Sequence, residues 1–220
     1  MLAIQRRMDS TDLNRLAFLA LGGLLSVLWP VVTDAIRRGR ENILAKQAMR
    51  AELAELGVKL TFAAHLIDMR QGTVSKQTLQ WLKTHLEQYA GIERIETVIE
   101  STRLQLSWSD EELEAYVRGK ASSRENIVLQ KYGVPMLDSR ISALWSLENR
   151  LQHQMLTIRT EVDLLNDLVD RSRHYSDLTF TKLEAENYKR VVGNVEQIYG
   201  EYAKRARRLV EQVAETRSLM

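Results

Sequence analysis

Between Leu16 and Thr33 eighteen residues pass without a charge, and the only side-chain hydroxyls are those of Ser26 and Thr33. As a helix rising about 1.5 Å per residue, the stretch covers roughly 27 Å, slightly short of the ~30 Å hydrocarbon core of a bilayer. Its apolar residues lie on every side of such a helix, so one-sided packing against a core does not account for it. The sequence therefore predicts a single transmembrane helix; a fully buried core helix is the alternative. Gly22, Gly23 and Pro30 suit a membrane helix, where no water competes for the backbone groups. A cleavable signal peptide fits less well. The apolar run exceeds the roughly 7–15 residues of a signal core, and Asp34 stands beside the candidate cut.

Orientation follows from the flanking cations. Arg6, Arg7 and Arg15 precede the span, and Arg37, Arg38, Arg40 and Lys46 follow it. By the positive-inside rule this small excess favours a C-terminal domain on the cytoplasmic side of an inner, single-pass location.

The rest of the chain reads as helix. Two prolines and ten glycines in 220 residues leave long segments uninterrupted. The net charge of +2 makes no case for nucleic acid, and the absence of cysteine excludes disulfides, iron–sulfur clusters and thiol nucleophiles. The expected fold class is all-α: one N-terminal transmembrane helix, then a long-helix bundle ending in an antiparallel, coiled-coil-like hairpin.

Five segments follow. Residues 1–15 form a polar tail and 16–33 the span. Residues 34–106 form a helical stalk and hairpin. Met49, Leu53, Leu56, Leu60, Ala63 and Ile67 line one face of the stalk. Gly57 interrupts it at a cost of about 1 kcal/mol, and Gly72 ends it as a left-handed cap. A second helix runs from about Val74 to Ala90, with a break at Gly91. Residues 107–134 form a short-helix elbow, opened by capping boxes at Ser109–Glu112 and Ser122–Glu125. The second box starts a helix to Tyr132.

Residues 135–217 form the hairpin. Pro135 suits a first helical turn. Leu137, Ile141, Leu144, Glu148, Leu151, Met155, Ile158, Val162, Leu165 and Val169 then step four, three, four, three, and only Glu148 is not apolar. The turn is expected over His174–Phe180, with a third capping box at Thr181–Glu184. Tyr188, Val192, Val195, Tyr199, Tyr202, Ala206, Leu209 and Val213 repeat the pattern on the return helix.

Chemistry is harder to find. None of His65, His85, His153 and His174 has a glutamate three residues before it, so the carboxylate–histidine motif of di-iron bundles is absent. No phosphate loop, dinucleotide turn or nucleophile elbow occurs. Nor does any of the four follow an arginine by four to six residues, as many helical ribonucleases require. The expectation is no enzyme, no cofactor and no metal.

The residues singled out for contact are of three kinds. Arg37, Arg38 and Arg40, with Lys204, Arg205, Arg207 and Arg208, suit anionic headgroups at about 1 kcal/mol per charge, or else form solvated basic helix ends. Glu148 stands in an apolar row, where it sets register, meets a ligand, lies where the stripe meets solvent or pairs with an arginine. Gly193 and Gly200, seven apart outside the main stripe, suggest a second close contact, such as another subunit.

The expected role is a membrane-anchored helical scaffold or assembly protein. It associates with itself and holds a protein partner through helix faces, with Leu16–Thr33 in the lipid bilayer and no nucleic acid. A sensory four-helix domain and an oligomeric pore or membrane-remodelling protein are the alternatives.

Overall fold

The computed structural model describes residues 10–89, 93–122, 128–139, 147–182 and 184–220; the side chains of residues 10–25, 27, 28, 38, 93 and 122 lie outside that description. The elements are α1 (Ser10–Gln71), α2 (Lys76–Glu87), α3 (Glu93–Ser107), α4 (Asp110–Ser122), α5 (Pro135–Ser139), α6 (Asn149–Thr179) and α7 (Ala185–Ser218). No strand occurs among the described residues, so the chain is all-α, as the sequence predicts. Packing divides it into two units, Met1–Lys46 and Gln47–Met220.

In the first unit the described element is α1, which already begins at Ser10 inside the expected tail. Pro30 lies within the helix. The Thr33 hydroxyl donates back to the carbonyls of Trp29 and Pro30 at 2.8 and 3.0 Å, the usual back-bond of a helical threonine. Trp29, Val31, Val32, Ile36, Ile43 and Leu44 are exposed. Among the described residues no helix is long and apolar enough to cross a membrane. The transmembrane helix expected over Leu16–Thr33 is therefore unsupported. Most of its side chains lie outside the described residues, and the described helix beyond it carries Asp34, Arg37, Arg40 and Glu41 within three turns.

The second unit is a closed bundle. Met49, Leu53, Leu56, Leu60 and Ile67 of α1 are buried as their spacing predicts, with Ala64 rather than Ala63 completing the row. Helix α1 ends at Gln71, and Gly72 takes φ +68°, the left-handed corner foreseen for it. Thr73 N–H closes back on the Asp68 carbonyl at 2.9 Å. Helix α2 then opens on a reciprocal box that the sequence reading missed, in which the Thr78 hydroxyl takes the place of the usual glutamate. Ser75 N–H donates to Thr78 Oγ1 at 2.9 Å, and Thr78 N–H to Ser75 Oγ at 3.3 Å. Leu82, Leu86 and Tyr89 pack with Ile95 and Ile99 of α3 over Ala54, Val58 and Phe62 of α1. The box at Ser109 and Glu112 forms as predicted, with bonds of 2.8 and 3.2 Å. Helix α4 then packs Leu113 and Val117 on Leu79.

The elbow departs from expectation. The Gly91 break and the Ser122–Glu125 box fall largely outside the described residues, and residues 128–134 form no regular element where a helix to Tyr132 was expected. Their backbone is held by side chains. Asn166 accepts from Tyr132 N–H at 2.9 Å and donates to its carbonyl at 2.7 Å. The Tyr202 hydroxyl donates to the Gln130 carbonyl at 3.2 Å. Glu52 accepts the N–H groups of Met136 and Leu137 at 2.8 and 3.0 Å, capping α5 from across the bundle.

The hairpin forms from Asn149 on; Ile141 and Leu144 of the expected row lie outside the described residues. Helix α6 starts at Asn149 with Glu148 as its N-cap residue, and it runs through the expected turn to Thr179. The third capping box does not form: α7 starts at Ala185, and its N-cap residue Glu184 makes no side-chain cap bond. Thr181 instead donates back to the Leu178 carbonyl at 2.7 Å. The two helices are antiparallel, since Arg150 meets Glu215 at 3.0 Å and Glu161 meets Arg205 at 3.3 Å. Tyr188 and Val192 are exposed, and Val191 takes the inward position.

Candidate interaction surfaces

Helix α7 is the hub of the second unit. One face packs on α6 through Val195, Tyr202 and Leu209, all buried. Another runs antiparallel to α1. Glu196 pairs with Arg70 at 2.7 Å and accepts from the Gln71 amide at 3.0 Å through its carbonyl, while Arg207 pairs with Asp68.

That pair is the centre of a polar node. Asp68 is 5% exposed. Arg207 also lies over the Trp81 ring, 5.5 Å from its centroid. Burial raises the Asp68 pKa, with Arg207 acting against it. His65, one turn earlier on α1, leaves Nδ1 without a hydrogen-bond partner. Burial, then the Arg207 charge, pulls its pKa from 6.5 down to about 4, so it is neutral at pH 7. The Asp68 carboxylate is taken up by Arg207, while His65 Nδ1 and Trp81 Nε1 are buried without hydrogen-bond partners. Among the described residues no cluster of histidine and carboxylates suits a metal. The node fastens α1 to α7.

Gly57 explains a second seam. A Cβ there would run into Tyr89 Oη and meet Val213 Cγ1 at 3.3 Å. The glycine lets α2 and α7 close on α1, which offsets its helix cost.

The basic cluster on α7 divides. Arg205 is engaged by Glu161 and Glu201, and Arg207 by Asp68. Lys204 and Arg208 are exposed. Arg37 is exposed and pairs with Glu41 at 3.0 Å, Arg40 is exposed, and the Arg38 side chain lies outside the described residues. Glu148 is exposed, because the helix ends where the apolar row was read as continuing. At Gly193 an added Cβ meets nothing within 4 Å, and at Gly200 it meets only the Gln71 amide at 3.8 Å. Neither glycine serves a close helix contact within the chain.

Clefts of up to about 400 Å³ line the bundle. One of about 250 Å³ lies between α1 and residues 128–132, lined by Phe62, Leu66, Leu129 and Tyr202 with Lys59 beside them. Burial and the nearby Tyr132 raise the Tyr202 pKa, so its hydroxyl acts as a structural donor.

The surface that sequence reading missed is the exposed apolar row of α1 in the first unit. Trp29 is 67% exposed and Ile43 59%. Apolar residues keep helical spacing past Thr33, beyond the end of the charge-free run.

These elements define an all-helical protein, a helical bundle whose first helix, α1, also forms the described part of the first unit. No family model, curated protein or solved structure matches the chain.

Proposed function

We propose that this protein is a membrane-anchored helical scaffold, held in the bilayer by Leu16–Thr33, which binds proteins through helix faces and performs no covalent chemistry. The carrying observation is the group of exposed large apolar side chains from Trp29 to Leu44 on α1, the helix that also holds the charge-free stretch. Exposed apolar side chains in such number suit lipid or another helix. The bundle supports the second half of the proposal. Many of its charged groups pair with one another, as Asp68 does with Arg207, and the clefts along it hold about 250 to 400 Å³. The small excess of flanking arginines favours the cytoplasmic side for the bundle.

Extraction of the full-length protein from cell membranes tests this. The protein is expected to stay with the membrane through high salt and alkaline carbonate and to dissolve in mild detergent. Release by salt alone overturns the anchor. Identification of the proteins that co-purify in detergent then tests the scaffold role, and a bare single chain at every concentration counts against it.

A further inference from the structure

We infer that the cleft between α1 and residues 128–132 is a binding site for a single-chain aliphatic carboxylate, whose head sits on Lys59 and whose chain runs over Phe62, Leu66 and Val128. Of the residues that line it, Ile67 and Tyr202 are fully buried and Leu129 is nearly so. Leu66 and Val128 are 51% and 70% exposed, and a chain laid over them takes that apolar surface out of water. At about 250 Å³ the cleft lies just below the range that holds drug-sized ligands, which is room for one chain and not for two. All of these residues belong to the second unit, so the inference stands apart from the membrane anchor.

The charge at the cleft selects its occupant. Lys59 is the only charged residue among those that line it. A neighbouring cleft of about 400 Å³ shares Lys59 and Tyr132 with it and is lined further by Glu52, Glu55 and Lys131. Lys59 and Tyr132 therefore stand where an apolar trough meets a polar one. An amphiphile matches that junction, with its chain on the apolar side and its head fixed by the few polar groups at the boundary. The head is an anion, because the apolar trough presents a cation alone.

The donors present suit a carboxylate. Lys59 gives one N–H to Glu55 at 2.6 Å, in a pair whose side chains are both more than half exposed. Such a pair is weak, and an ammonium has two further donors to offer. The Tyr132 hydroxyl lies in the field of Lys59, and burial keeps it protonated, so it can donate to the second carboxylate oxygen. The Tyr202 hydroxyl is already given to the Gln130 carbonyl at 3.2 Å and holds the cleft wall in place.

The test uses the full-length protein in phosphatidylcholine nanodiscs and a palmitic acid analogue with a photoreactive diazirine in its chain. After irradiation, peptide mass spectrometry is expected to place label at Phe62, Leu66, Val128 or Leu129, and excess palmitate is expected to remove it. Lys59→Ala should lower this label on the order of tenfold, the loss of one hydrogen bond to a charged group, whereas Lys59→Arg should keep most of it. Methyl palmitate, which has the chain without the charge, should compete poorly. So should dipalmitoyl phosphatidic acid, which carries an anionic head on two chains. Leu66→Asp, at an exposed position, should abolish the label with the melting temperature unchanged. Label confined to residues outside the cleft, or label that excess palmitate leaves in place, overturns the inference. So does equal competition by the methyl ester or the two-chain acid, or undiminished labelling in folded Lys59→Ala or Leu66→Asp.

Discussion

Heptad spacing meets opposite ends in the two units. In the second, Leu53, Leu60 and Ile67 are exposed by 1% or less. In the first, Trp29, Ile36 and Ile43 recur at the same seven-residue interval and are exposed by half or more. Both sets lie on α1, and both carry large apolar groups. The difference is a neighbour. Helix α7 brings Ala206 and Val213 to the bundle, and α2 brings Leu82 and Leu86, whereas the described part of the first unit holds no second helix. Periodicity states that a face is to be covered; it is silent about which molecule does so.

Several substitutions break or sharpen this contrast. The largest effect is expected from Leu60→Ala, which empties a fully buried position and costs about 2–5 kcal/mol in urea unfolding followed by circular dichroism. Asp68→Ala comes next, at on the order of 3 kcal/mol, because Arg207 keeps a half-buried charge without its carboxylate. If the cost lies in that stranded charge, Asp68→Leu combined with Arg207→Met recovers much of it.

Acidification gives a third measure. The His65 pKa is depressed to about 4 in the folded chain, against 6.5 when unfolded. Below pH 6.5 the unfolded chain takes up a proton that the bundle refuses. The stabilisation is complete above pH 6.5 and is lost as pH falls to about 4, on the order of 3 kcal/mol at most. The raised pKa of Asp68 works in the opposite sense at lower pH. Melting temperatures at pH 7 and pH 4.5 should therefore lie closer together in His65→Gln than in the parent chain.

Gly57→Ala should cost about 1–3 kcal/mol by overpacking against Tyr89 and Val213, in spite of the better helix propensity of alanine. A gain in stability instead shows that the Tyr89 ring yields freely. At the small end, Ile36→Ala should leave bundle stability within about 0.5 kcal/mol. A cost there matching that of Leu60→Ala abolishes the distinction between the units.

Much of the fold was legible because it is locally written. The left-handed corner at Gly72, the box at Ser109 and Glu112, and the inward rows of α6 and α7 each follow from residues within a turn or two. The failures have one physical origin. The row from Leu137 to Val169 reads as one helix, yet α6 begins only after Glu148, and the chain just before Pro135 forms no regular element. There the backbone of residues 130–136 is bonded by Asn166, Tyr202 and Glu52, side chains distant in sequence. No local pattern announces such bonds. The basic cluster misled similarly. Four cations in five residues look alike in sequence, and only the placement of Asp68 and Glu161 separates the engaged Arg207 and Arg205 from the exposed Lys204 and Arg208.

The antiparallel docking of α7 on α1 also sets a timetable for synthesis. Arg70 waits 126 residues for Glu196, and Asp68 waits 139 for Arg207. While the ribosome is still translating α6, the inner side of α1 is out of the exit tunnel with its final partner unmade. At translation rates of about 5–20 residues per second that interval lasts several seconds or more. A nascent chain paused before α7 is therefore the species that a holdase chaperone would meet.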